Sequence, residues 1–71
     1  MKKTLPIGEI YRYFRTSKNF ALKEAAKDCI STSQLSNFEN GRSYVSCIVL
    51  LYLLNNINVA PHEFFHHLNT Q

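Results

Sequence analysis

Two groups of residues have the types and spacing to do chemistry. Thr32, Ser33, Ser36 and Asn37 recur as i, i+1, i+4 and i+5, which puts four short, uncharged, hydrogen-bonding side chains on one face of a helix. Side chains of this kind can pair with the donors and acceptors on base edges. An ordinary amphipathic surface helix would carry the same pattern. The second group is His62-Glu63-Phe64-Phe65-His66, which matches the HExxH spacing of zinc metalloproteases, with two imidazoles one turn apart and a glutamate beside them. Such enzymes also need a third ligand, a substrate cleft and a larger scaffold. Here Phe64, Phe65 and Leu68 are wanted for the core, which leaves the histidines as surface residues of a terminal helix. No nucleophile triad, phosphate-cradling loop or carboxylate pair is present, so neither enzyme activity nor a cofactor or metal is expected.

Short helices must position these groups. Ser31 stands three residues before Gln34, the spacing of a capping box, and Gly41 supplies a left-handed stop, so residues 31–40 read as a capped helix with Leu35 and Phe38 inward. Ahead of it, Ile7, Tyr11 and Phe14 recur at i, i+4 and i+7 after Pro6, which predicts a first helix to about Ser17. Phe20 is expected to plug the core before a second helix over about 22–28, where Ala25 and Ala26 allow close backbone approach. A fourth helix is expected over about 46–55, and Pro61 opens a fifth that ends near Leu68. Connections of two to five residues join them, with only Cys29 and Ile30 between the second and third. These elements predict an all-α five-helix bundle in which residues 21–40 form a helix-turn-helix.

A chain of 71 residues has room for one domain, residues 1–71, and buries only about 60% of its unfolded surface. All eight Lys and Arg fall in residues 1–42, against Glu9, Glu24, Asp28 and Glu39, whereas residues 43–71 carry only Glu63. A basic half that also holds a capped polar helix suits a polyanion, although lysine-rich surfaces also serve solubility alone. The longest apolar run, residues 47–54, is far short of the roughly 20 residues of a membrane span, and no signal-peptide pattern opens the chain. A cytoplasmic protein with no membrane partner is expected. Cys29 and Cys47 are unpaired in spacing, so they read as buried or half-buried thiols and not as zinc ligands.

The run FALKEAAK at 20–27 followed by ISTSQLSNFENG at 30–41, together with IGEIYRYFR at 7–15, resembles the Cro/XRE (lambda-repressor-like) helix-turn-helix family. It is most similar to the N-terminal DNA-binding domain of Rgg/MutR-type transcription regulators, whose turn likewise lacks a glycine. The resemblance covers about residues 5–69. It implies a bacterial regulator that binds double-stranded DNA sequence-specifically as a homodimer, with helix 31–40 in the major groove. Thr32, Ser33 and Asn37 become base-edge candidates, with Gln34 and Ser36 beside them, and Asn37 can pair bidentately with adenine. Arg12, Lys23, Asn40 and Arg42 become phosphate candidates, with Lys2 and Lys3 as a mobile arm. Leu22 stands where many relatives place a phosphate-gripping glutamine, so Lys23 is the substitute. Arg15 matches an arginine that pairs with a glutamate at the position of Glu39. A direct phosphate contact is the other role open to it. Regulators of this type continue into a peptide-sensing helical-repeat domain, so the chain reads either as the head of a longer protein or as a short relative.

Residues 47–54 are apolar all round, which normally means cover on every side. Cys47, Leu50, Leu51 and Leu54 are assigned inward. Ile48, Val49 and Tyr52 are expected to face outward as a contact with a second copy or a further domain, unless the fifth helix covers them. A protein-docking module with only non-specific DNA affinity is the alternative reading of the whole chain.

Overall fold

The computed structural model describes residues 7–69, so Lys2, Lys3 and Pro6 lie outside the described residues. Five helices follow in order: α1 (Ile7–Ser17), α2 (Leu22–Ala26), α3 (Thr32–Glu39), α4 (Cys47–Asn56) and α5 (Pro61–Asn69). No strand occurs among the described residues. The architecture is all-α. Among the described residues, no helix is long and apolar enough to cross a membrane.

α1 is the organising element because it packs against both α3 and α5. Its apolar stripe buries Ile10, Tyr11 and Phe14, and these join Leu35, Phe38, Leu53, Leu54, Ile57 and Phe64 in one core. Phe20 packs half-buried against that core. The Tyr11 hydroxyl donates a 2.8 Å hydrogen bond to the Leu53 carbonyl, which ties α1 to α4. A second tie runs from the Asn56 side-chain amide to the Ala25 carbonyl at 2.8 Å, so α4 supplies a donor to one of the carbonyls that α2 leaves unpaired at its end.

Both ends of α3 are closed by local hydrogen bonds. Ser31 Oγ accepts from Gln34 N–H at 3.1 Å while Gln34 Oε1 accepts from Ser31 N–H at 2.9 Å, a closed capping box. At the other end Gly41, at φ 77°, donates to the Phe38 carbonyl, and Arg42 N–H reaches the Asn37 carbonyl at 2.8 Å. Those two bonds make a Schellman stop, which needs a left-handed residue where glycine is placed.

α2 ends at Ala26, two residues before the expected Asp28, and the connection to α3 spans residues 27–31. The cause is Lys27, at φ 47° and ψ −128°, the first central position of a type II′ turn that Cys29 N–H closes onto the Ala26 carbonyl at 2.9 Å. Glycine is the residue that adopts this conformation without a clash, so Lys27 is strained. Lys27→Gly is expected to raise stability by about 1 kcal/mol, the relief of strain exceeding the extra freedom gained by the unfolded chain. Urea unfolding with an unchanged slope and a higher midpoint would establish this; a lower midpoint would refute it.

Three further expectations need correction. The α3–α4 connection runs over residues 40–46 because Ser46 caps α4 through Val49 N–H at 3.2 Å instead of opening it. Leu53 is fully buried while Cys47 is exposed and Leu51 is 42% exposed, so the inward stripe of α4 is Leu50, Leu53 and Leu54. On α5, Phe64 is fully buried and Leu68 partly so, but Phe65 is 40% exposed. His62 and His66 are exposed as expected, while the neighbouring His67 is half-buried, with its ring stacked on Tyr13 at 5.1 Å and edge-on to Phe14 at 5.3 Å.

Candidate nucleic-acid interface

The face of α3 away from the core carries Thr32, Ser33, Gln34 and Asn37 exposed and Ser36 half-buried, while Leu35, Phe38 and Glu39 are buried behind them. The side chains of Thr32, Ser33 and Asn37 hold no hydrogen bond within the described residues, which leaves their donors and acceptors for an outside partner. Gln34 Oε1 is committed to the capping box, so only its amide nitrogen is available. Ser36 Oγ accepts a long contact of 3.4 Å from Asn40 Nδ2. A helix fixed at both ends thus displays three uncommitted polar side chains.

Behind this face lies the buried ion pair. Arg15 Nε donates to Glu39 Oε2 at 2.7 Å and Nη2 to Glu39 Oε1 at 2.9 Å, a bidentate fork, while Nη1 donates to the Phe20 carbonyl at 2.8 Å. Arg15 is 9% exposed and Glu39 4%. The carboxylate holds the guanidinium pKa above its ordinary value, chiefly through the hydrogen bonds, so the cation is permanent. Arg15 is thereby spent on structure and is not offered to a phosphate. It locks the C-terminal turn of α3, α1 and the α1–α2 connection to one another.

The same pair acts on Tyr11. Burial pushes its phenol well above the ordinary tyrosine value, the Glu39 carboxylate adds to this, and the Arg15 cation opposes it. The folded state therefore keeps the proton where the unfolded chain loses it, so this contribution is complete below about pH 10 and is lost as pH rises beyond that. Stability is expected to fall above about pH 10 in wild type and to fall less steeply in Tyr11→Phe, as read from urea unfolding across pH 8–11.

The four phosphate candidates are all exposed. Arg12 and Asn40 line one groove between the start of α1 and the end of α3, together with Glu9, Ser43 and Tyr44. Lys23 and Arg42 do not line it. Tyr44, 81% exposed on the wall of this groove, was not singled out by the sequence, since one aromatic in a loop carries no periodic signal. On another side, Ile48 and Tyr52 are 63% and 59% exposed, as expected, whereas Val49 is half-buried against the core. Val49 and Tyr52 line a shallow groove with Lys27, Asp28, Cys29 and Asn56. α5 does not cover Ile48 or Tyr52. Cys29 is half-buried and Cys47 exposed, both as free thiols. No group of three or more His, Cys, Asp or Glu suited to an ion exists among the described residues.

No protein-family model matches the chain, and no solved structure matches it.

Proposed function

We propose that this protein is a sequence-specific double-stranded DNA-binding domain of a transcription regulator, of the Cro/XRE-type helix-turn-helix form, with α2 and α3 as its two helices. The single observation that supports it best is the uncommitted face of α3: Thr32, Ser33 and Asn37 point away from the core on a helix held rigid by two caps and the Arg15–Glu39 pair. In this reading α3 enters the major groove, Asn37 reads adenine, and Thr32 and Ser33 add weaker contacts. Arg12, Lys23, Asn40 and Arg42 grip phosphates and fix register. Few strong base contacts are offered, so DNA shape carries part of the selectivity.

The test is fluorescence anisotropy with a duplex enriched from a random pool and a shuffled control, across several salt concentrations. The enriched duplex is expected to bind more tightly near physiological salt. Asn37→Ala should weaken that duplex about tenfold and leave the control unchanged. Equal binding to both, vanishing with salt, would mean simple polyanion attraction.

A second reading, a protein-docking module, is favoured by one observation: Ile48, Leu51 and Tyr52 are exposed along α4. Within the DNA-binding reading, the exposed Ile48 and Tyr52, with the half-buried Val49 between them, join two copies and set two recognition helices about one helical turn apart. Sedimentation over a concentration series separates the cases. Self-association that Tyr52→Lys removes supports the homodimer; a monomer at every concentration, for both proteins, refutes it.

A further inference from the structure

The HExxH spacing is not absorbed by DNA binding. The three histidines of α5 divide into two environments: His67, just outside the motif, packs its ring against Tyr13 and Phe14, whereas the motif's His62 and His66 are both exposed. They belong to a helix, Pro61–Asn69, whose opposite side is anchored by the fully buried Phe64 and the partly buried Leu68. Residues four apart lie within about 40° of each other around a helix axis. Their Cβ atoms are about 5–6 Å apart, within the span of two imidazoles that share an ion at about 2.0–2.1 Å from each nitrogen.

We propose that His62 and His66 form a surface chelate for a late first-row divalent cation, Zn²⁺, Ni²⁺ or Cu²⁺, and that the bound ion clamps α5 in its helical form. Imidazole nitrogen suits these ions and not Mg²⁺ or Ca²⁺, which take oxygen ligands. No third protein ligand joins the pair among the described residues. The rest of the coordination shell therefore stays with water, and the site is open and exchangeable. Cu²⁺ binds most tightly, by the general order of divalent affinities. The pre-set spacing exists only while α5 is helical, so the ion binds the folded chain in preference to the unfolded one and stabilises it. Phe64 and Leu68 lie on the same helix, so holding its last turns also holds that edge of the core.

The experiment is Zn²⁺ titration by calorimetry, followed by thermal unfolding watched by circular dichroism at ten times the measured dissociation constant. One ion per chain is expected. The unfolding midpoint should rise by roughly 5–10 °C for a domain of this size. Both His62→Ala and His66→Ala should lose the rise. His67→Ala should start from a lower midpoint, having lost its ring contacts, and still show the full rise. Mg²⁺ at the same concentration should give none. No rise in wild type, or a rise that survives both His62→Ala and His66→Ala, would overturn the proposal.

Discussion

Glu39→Gln is expected to lower the unfolding free energy by about 3 kcal/mol, and roughly 15 °C in midpoint, although the substitution changes almost no volume. The reason is asymmetry. The pair has already lost most of its hydration, with Arg15 and Glu39 at 9% and 4% exposure. The guanidinium recovers that loss through two bonds to the carboxylate and one to the Phe20 carbonyl. A neutral amide can accept only one of the two bonds and offers no compensating charge, so a buried cation is left unpaired. Replacing both partners, as Arg15→Met with Glu39→Leu, should cost far less than the sum of the single changes, because no charge then remains to desolvate. Urea unfolding of the wild type, both single variants and the double variant gives the coupling. Additive effects would show that the pair is no more than two independent polar residues. DNA binding supplies a second readout, because the pair holds the end of α3. Under the proposed function, Glu39→Gln should weaken the enriched duplex even at temperatures where the variant is folded.

Several features were legible before the structure because local chemistry specified them. The Ser31–Gln34 box and the Gly41 stop depend on residues within one turn of each helix end, and both form as the spacing requires. Phe14, Leu35, Phe38 and Phe64 sit inside because polar neighbours fix the phase of their helices. α4 has no such neighbours. Over residues 47–54 every position is apolar, so periodicity has no phase: Leu50 and Leu54 point inward as expected, but Cys47 and Leu51 turn outward and Leu53 takes the buried place. Tyr11 bonding to the Leu53 carbonyl fixes that phase, and it is a contact across 42 positions that no local pattern contains. Lys27 escaped for the opposite reason. Its side chain favours helix, and the turn that overrides this preference follows from where α3 must pack. Within the candidate site, the outward residues of α3 were readable from spacing, but the commitment of Gln34 to its cap and the presence of Tyr44 beside Arg12 and Asn40 were not.

The least legible residue carries the second large effect. Gly8 lies in α1, where glycine is ordinarily the poorer helix former by about 1 kcal/mol relative to alanine, so propensity alone predicts that Gly8→Ala stabilises. The packing reverses the sign. A Cβ at this position would overlap the Phe38 carbonyl oxygen and come within 2.8 Å of its carbon and 3.0 Å of Glu39 Cα. All three are backbone atoms of α3, so no side chain can swing aside. α1 would have to move off α3, and the Arg15–Glu39 fork spans that same junction with bonds of 2.7 and 2.9 Å. The expected result is a loss of about 3 kcal/mol, at the upper end of ordinary overpacking costs. Gly41→Ala is a useful contrast: its Cβ would meet nothing within 4 Å among the described residues, and its cost comes from the left-handed φ of 77°, about 1 kcal/mol. Thermal unfolding of the two variants therefore ranks them by cause. If Gly8→Ala is as stable as wild type, the close approach of α1 to α3 is wrong. If it is strongly destabilised and Gly41→Ala only mildly, the absence of a side chain at Gly8 is what lets α1 and α3 meet closely enough for the ion pair to hold the exposed face of α3 in place.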